Sequence, residues 1–209
     1  MRGLIDALGA PRPARRAERT DEYGALVRSI VGQQLSTKAA RSIYGRLTDR
    51  FGGRAPTPQE VLADDPEDLR VAVGLSRAKV KYLRSLAEHV EKGEVELGRL
   101  DALSDEDVAA ELLDVKGLGP WSVDMFLMFQ LQRPDVLPVG DLGIRRAVEQ
   151  AYGLDALPGP DALERIAEPW RPYRTLASRY LWASLDNPRS ALTSISVLMY
   201  RWGHPRVPR

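Results

Sequence analysis

Apolar residues recur at spacings of three and four along almost the whole chain, the period of a helix with one buried face, and helix-start signals precede many of these stretches. Thr57-Pro58-Gln59-Glu60 combines a capping box with proline in the first helical position, where its missing N–H costs nothing. Asp65-Pro66 and Ser104-Asp105-Glu106-Asp107 open two more helices. Ser76 starts a longer one, whose stripe of Val80, Leu83, Leu86, Ala87 and Val90 runs until Gly93 ends it. The same period predicts helices over 21–33, 36–50, 120–132, 141–152, 161–168, 172–185 and 188–201. No stretch alternates over five residues as a half-buried strand must, so the fold class is all-α, without internal repeats or a low-complexity linker. Pro134, Pro138 and Gly140 interrupt the helical pattern between Gln132 and Asp141, which marks the expected crossing between two lobes. The Pro/Arg-rich ends, Pro11 to Arg16 and Pro205 to Arg209, are expected to fray.

Composition narrows the chemistry. The 209 residues contain no Cys and two His, His89 and His204. That excludes a cysteine nucleophile, a Cys-ligated zinc or an iron–sulfur cluster, and leaves little for a multi-His metal site. No apolar run reaches the roughly 18 residues of a membrane span, and the first 30 residues lack a secretory core, so a soluble cytoplasmic protein with no membrane partner is expected. The formal net charge of +1 hides an uneven distribution. Residues 1–20 carry +3 and residues 169–209 carry +6, leaving −8 on the middle of the chain. A near-neutral sum therefore does not exclude a polyanionic partner, because only the surface facing it must be positive.

Residues 104–131 depart from a plain amphipathic pattern. In Leu112-Leu113-Asp114-Val115-Lys116-Gly117-Leu118-Gly119-Pro120-Trp121-Ser122 one helix ends, a tight turn carries two glycines, and Pro120 opens the next helix. Glycines at alternate positions allow successive amides to face outward beside the positive end of that helix. The result is an anion site made of backbone, suited to a DNA phosphate, with Lys116 adding a cation. The same residues also fit an ordinary helix–turn–helix corner, with Lys116 simply solvated. Val115 and Leu118 as apolar anchors, and the apolar helix behind them, favour the phosphate site.

Three segments resemble the helix-hairpin-helix DNA glycosylases, and among them the AlkA group of 3-methyladenine DNA glycosylases. They are Ile30-Val31-Gly32-Gln33-Gln34-Leu35-Ser36, Val115 to Ser122, and Leu137-Pro138-Val139-Gly140-Asp141-Leu142-Gly143, and the similarity runs from about residue 20 to about 185. The resemblance implies a two-lobed fold with the active-site cleft between the lobes. About 36–135 would form the helical lobe carrying the hairpin, and about 1–35 plus 136–209 the second, without the N-terminal β domain of larger bacterial members. It implies a monofunctional N-glycosyl hydrolase of the DNA-3-methyladenine glycosylase II type. Such an enzyme flips alkylated purines out of double-stranded DNA and removes them in base excision repair.

Residue by residue, the resemblance places the catalytic carboxylate at Asp141, which is also a good helix N-cap. It places Trp121 and Trp182 in the base pocket, where electron-rich rings suit a cationic purine; two core tryptophans remain the alternative. Met125, one turn beyond Trp121, either floors that pocket or belongs to the core. Gln34 is the expected minor-groove wedge with Leu35 beside it, against a helix C-cap and a core leucine. Lys116, Gly117, Leu118 and Gly119 would bind DNA. The family hairpin holds a structural Na+ or K+ through backbone carbonyls, here those of Leu113, Val115 and Leu118; no cofactor is otherwise required. A monomer acting at the nucleoid is expected. Bifunctional members carry a Lys where this chain has Trp121, which disfavours the alternative of a glycosylase for oxidised or deaminated bases. A second alternative is a non-catalytic DNA-binding module, in which Asp141 is only a cap.

Overall fold

The computed structural model describes residues 1–9 and 21–186, and among them there are helices and no strands. The helices are α1 (Arg2–Leu8), α2 (Glu22–Gly32), α3 (Thr37–Arg50), α4 (Pro58–Ala63), α5 (Pro66–Val73), α6 (Arg77–Glu91), α7 (Asp105–Leu113), α8 (Pro120–Phe129), α9 (Leu142–Tyr152), α10 (Pro160–Ala167) and α11 (Arg174–Asp186). Short 3-10 turns cover Leu97–Ala102 and Glu168–Trp170. The expected helix over 188–201 and the Pro/Arg-rich ends lie outside the described residues.

Local chemistry sets the helix starts. The capping box forms in full: the Glu60 amide donates to Thr57 Oγ1 (3.2 Å) and the Thr57 amide donates to Glu60 Oε2 (2.7 Å). Asp65, Ser76 and Ser104 each accept from the first-turn amides of the helix that follows. Each such cap is worth about 1 kcal/mol.

The chain divides into two compact units, one of 17–132 and one of 1–16 with 133–209. In the first, α2 is the central helix and packs on α3, α6, α8 and the 3-10 turn at 97–102. Leu26, Val27, Ile30 and Val31 of α2 are fully buried, and Leu83, Leu86 and Ala87 of α6 also lie in the core. Burying a Leu, Ile or Val side chain contributes about 1.5–3 kcal/mol, so this apolar helix is the natural hub of its unit. The expectation that residues 1–35 join the second lobe differs from this division for the stretch 17–35, while 1–16 group with 133–209. Helix α2 covers its apolar surface within the hairpin-bearing unit, and the boundary near 135 moves to 132/133.

In the second unit, α11 packs on α9 and α1. Ile144 and Val148 of α9 meet Leu181 of α11, Leu163 of α10 and Leu4 of α1 in one core cluster. Asp135 ties the entry of this unit to α11: it accepts from Arg174 Nε (2.8 Å) and from Arg171 (2.7 Å). Burial works to raise the Asp135 carboxyl, but the hydrogen bonds from Arg174 and the two positive charges overcome it and hold it below its ordinary range.

Candidate nucleic-acid interface and active site

Helices α7 and α8 form the predicted hairpin, joined by residues 114–119. Val115 and Leu118 are buried as anchors, and the Leu118 amide donates to the Val115 carbonyl (3.0 Å) to close the turn. Lys116 is exposed at the tip. The two glycines are not equivalent. Gly117 has φ 96° and packs on Tyr82 of α6, and a Cβ there would overlap the Cγ end of the ring, 2.6 Å from Cδ1. Gly119 is extended (φ −113°, ψ 172°) with open space around it, a conformation any residue adopts. Left-handed freedom is thus required at 117 alone. Gly119 acts as the N-cap of α8 and brings no capping side chain, which leaves the helix end approachable by an anion.

Three side chains outside the hairpin hold it. The Lys116 amide donates to Ser85 Oγ (3.1 Å), Gln33 Nε2 donates to the Gly117 carbonyl (2.8 Å), and the Tyr82 ring backs Gly117. Gln33 lies in the Ile30–Ser36 segment, next to the expected wedge, and its spacing gives no hint of its partner. Nothing local in α6 marks Tyr82 or Ser85.

The turn from α2 to α3 is closed by the Leu35 amide donating to the Gly32 carbonyl (3.2 Å). Gln33 is the C-cap of α2, and Gln34 follows with φ 58°, an uncommon conformation for a residue with a side chain. Such strain concentrates where a side chain must be presented in one direction. Leu35 is 37% exposed, which removes the alternative of a core leucine.

Trp121 is not a core residue either: it is 46% exposed at the start of α8. With Met125 and Phe129 of α8, and with Arg28, Gln34 and Leu35, it lines a cavity of about 460 Å³. Met125 is half-buried there. A second cleft of about 460 Å³ lies beside it, lined by Gln33, Gln34, Lys79, Tyr82, Gly117 and Gly119 among others. The turn at 32–36, the hairpin and Trp121 therefore share one surface of the first unit. On α8, burial pushes the Asp124 carboxyl up to about 6.

The second unit holds the candidate carboxylate. Asp141 is the N-cap of α9, and its Oδ1 accepts from the Ile144 amide (2.8 Å) and from Trp182 Nε1 of α11 (3.0 Å). The cap and the candidate catalytic group are one residue. Trp182, expected to line a base pocket, is seen here holding the carboxylate through its indole N–H. Gly143 makes room for that contact, since a Cβ on it would lie 3.0 Å from Asp141 Oδ1 and 3.3 Å from Trp182 Cδ1. Gly143 closes the Leu137–Gly143 segment, but its role becomes visible only with α11 in place.

Among the described residues no group of three or more His, Asp or Glu side chains could hold a metal, and no helix is long and apolar enough to cross a membrane. Of the carbonyls expected to hold a monovalent cation, those of Leu113, Val115 and Leu118, the Val115 oxygen accepts the Leu118 amide (3.0 Å) and keeps a second lone pair.

Comparison with known proteins agrees with the hairpin and the motifs around it. The model of the HhH-GPD superfamily of base excision DNA repair proteins matches residues 27–172. The DNA-3-methyladenine glycosylase 1 of Schizosaccharomyces pombe is 36% identical over 181 residues, which is 86% of this chain and 79% of that protein. A solved 3-methyladenine DNA glycosylase from Schizosaccharomyces pombe, in complex with abasic DNA, superposes with a TM-score of 0.79 at 34% identity. It covers 88% of this chain and 90% of its own. A DNA-3-methyladenine glycosidase from Bacillus halodurans gives the same TM-score at 34% identity, over 95% and 91% of the two chains. With a helical hairpin built around Gly117, and a family match that runs from within α2 past Asp141, the chain belongs to the HhH-GPD superfamily of base excision DNA repair proteins.

Proposed function

We propose that this chain is a monofunctional DNA glycosylase that excises alkylated, cationic purines such as 3-methyladenine and 7-methylguanine from double-stranded DNA. The observation that carries it is the Asp141 carboxylate, held at Oδ1 by the Ile144 amide and the Trp182 indole at the start of α9. In the reaction the bond between sugar C1′ and the purine nitrogen breaks, and its electron pair leaves with the base. Water then adds to C1′ and gives up a proton. Alkylation has already made the base a good leaving group, so no general acid is needed. What the protein supplies is a fixed negative charge beside the cationic sugar, which is worth most when it is oriented beforehand.

The other parts take supporting roles. Trp121 and Trp182 offer electron-rich rings to the flipped base, with Met125 beside Trp121. Gln34 fills the gap in the duplex with Leu35 next to it. Lys116 and the backbone from Gly117 to Gly119 grip a phosphate, and the carbonyls of Leu113, Val115 and Leu118 take a Na+ or K+ that stiffens the turn. Trp121 occupies the place of the nucleophilic Lys of bifunctional relatives, which supports hydrolysis without a lyase step. We place the enzyme in the cytoplasm at the nucleoid, acting as a monomer with no further cofactor.

Asp141→Asn tests the reading cleanly, because Asn caps a helix as well as Asp does. The variant should melt and bind DNA like the wild type while release of 3-methyladenine from methylated DNA falls at least about a hundredfold. Undiminished release would leave Asp141 as a cap with the catalytic charge elsewhere, and no release by the wild type would leave the chain as a DNA-binding module.

A further inference from the structure

The turn at 32–36 and the hairpin at 115–119 are distant in sequence, yet one side chain joins them. Gln33 Nε2 donates to the Gly117 carbonyl (2.8 Å) and lies 3.4 Å from Ser122 Oγ. From the other side, Lys79 Nζ of α6 donates to the Val31 carbonyl at the last turn of α2 (2.7 Å). These two bonds fix the end of α2, and the next residue is Gln34 at φ 58°. A carbonyl can only accept, so the nitrogen of the Gln33 amide must face the hairpin.

We propose that Gln33 is a positioning residue that sets the Gln34 wedge at a fixed distance and orientation from the phosphate-binding hairpin, so that anchoring of the DNA backbone and insertion into the duplex occur in register. The proposal rests on the glycosylase reading above. Without the bond to Gly117 the turn can relax away from the uncommon backbone conformation at Gln34. The wedge must then be ordered at the moment of insertion, a cost that pre-organisation removes.

The test uses the full chain with Gln33→Ala and Gln33→Glu. One probe is a duplex with 2-aminopurine beside a tetrahydrofuran abasic analogue, whose fluorescence reports wedge insertion without chemistry. The other is a 7-methylguanine duplex for single-turnover base release. Gln33→Ala should melt near the wild type and bind undamaged duplex within about twofold. Its 2-aminopurine response and its release rate should both fall about five- to tenfold, the size of one lost neutral hydrogen bond, with KM unchanged. Gln33→Glu should fall further, because its carboxylate faces the Gly117 carbonyl. A wild-type 2-aminopurine response in both variants overturns the proposal, as does an equal loss of undamaged-duplex affinity and response. If the wild type gives the fluorescence response but releases no base, the glycosylase reading fails and the positioning role stands.

Discussion

Replacing Gly117 by Ala asks the hairpin to accept two things it cannot easily hold. The first is a side chain at φ 96°, which costs about 1–2 kcal/mol for an L-residue in the left-handed region. The second is overlap with Tyr82, whose Cδ1 would lie 2.6 Å from the new Cβ and whose ring sits on α6, itself packed on α2 and α4. Relieving such an overlap by shifting backbone or ring costs about 1–3 kcal/mol more. Gly117→Ala should therefore lose about 2–5 kcal/mol in urea denaturation. Only the second part depends on the ring. In the Gly117→Ala/Tyr82→Ala double variant the overlap disappears while the backbone strain remains, so the double variant should be about 1–3 kcal/mol more stable than the two single losses predict. Urea melts of the four proteins measure this coupling directly. Additivity within about 0.5 kcal/mol would refute the contact between Tyr82 and the hairpin as the reason for glycine at 117. DNA affinity should fall in Gly117→Ala as well, since the same shift displaces the backbone from Gly117 to Gly119 proposed to grip a phosphate.

Gly143→Ala should separate chemistry from folding. Its Cβ would press on Asp141 Oδ1 and the Trp182 indole, and loss of one hydrogen bond to a carboxylate, about 1.5–3 kcal/mol, should slow base release about 10- to 150-fold. The loss of thermal stability should be smaller than the rate effect, because Ala favours the helix over Gly by up to about 1 kcal/mol and offsets part of the lost bond; an unaltered release rate would show that the indole contact does not matter. Asp124→Asn reports on pH. With its carboxyl pushed up to about 6, the folded chain holds a proton that the unfolded chain has already lost, so stability falls as pH rises from about 4 to about 6. The Asn variant should be about 1–2 kcal/mol more stable above pH 6, after discounting for partial exposure, and equal to the wild type at pH 3.5. Thermal melts giving the same difference at both pH values would count against a desolvated Asp124.

The helices and their starts were legible because their causes are local. The capping box at Thr57, the prolines at 58, 66 and 120, and the stripe on α6 act within a few residues of themselves, and each forms as the spacing predicts. Asp141 as a cap was legible for the same reason. The resemblance led to the family and to the segments where the site would lie.

Partners were not legible. A helical period shows that α2 has an apolar surface but not which neighbours cover it, so residues 21–35 were expected in one lobe and fold into the other unit. Nothing in the order of residues says that Tyr82 decides what fits at 117, that Gln33 reaches across 84 positions to Gly117, or that Trp182 turns its N–H to Asp141. The two glycines of the hairpin looked alike in sequence, and only the packing of α6 against one of them makes glycine obligatory there. The sequence by itself determined which segments are helical and which residues carry charge, ring or carboxylate, since those follow from chemistry within one or two helical turns. The tertiary structure decided which of them act together, because contacts between elements depend on how distant surfaces bury one another.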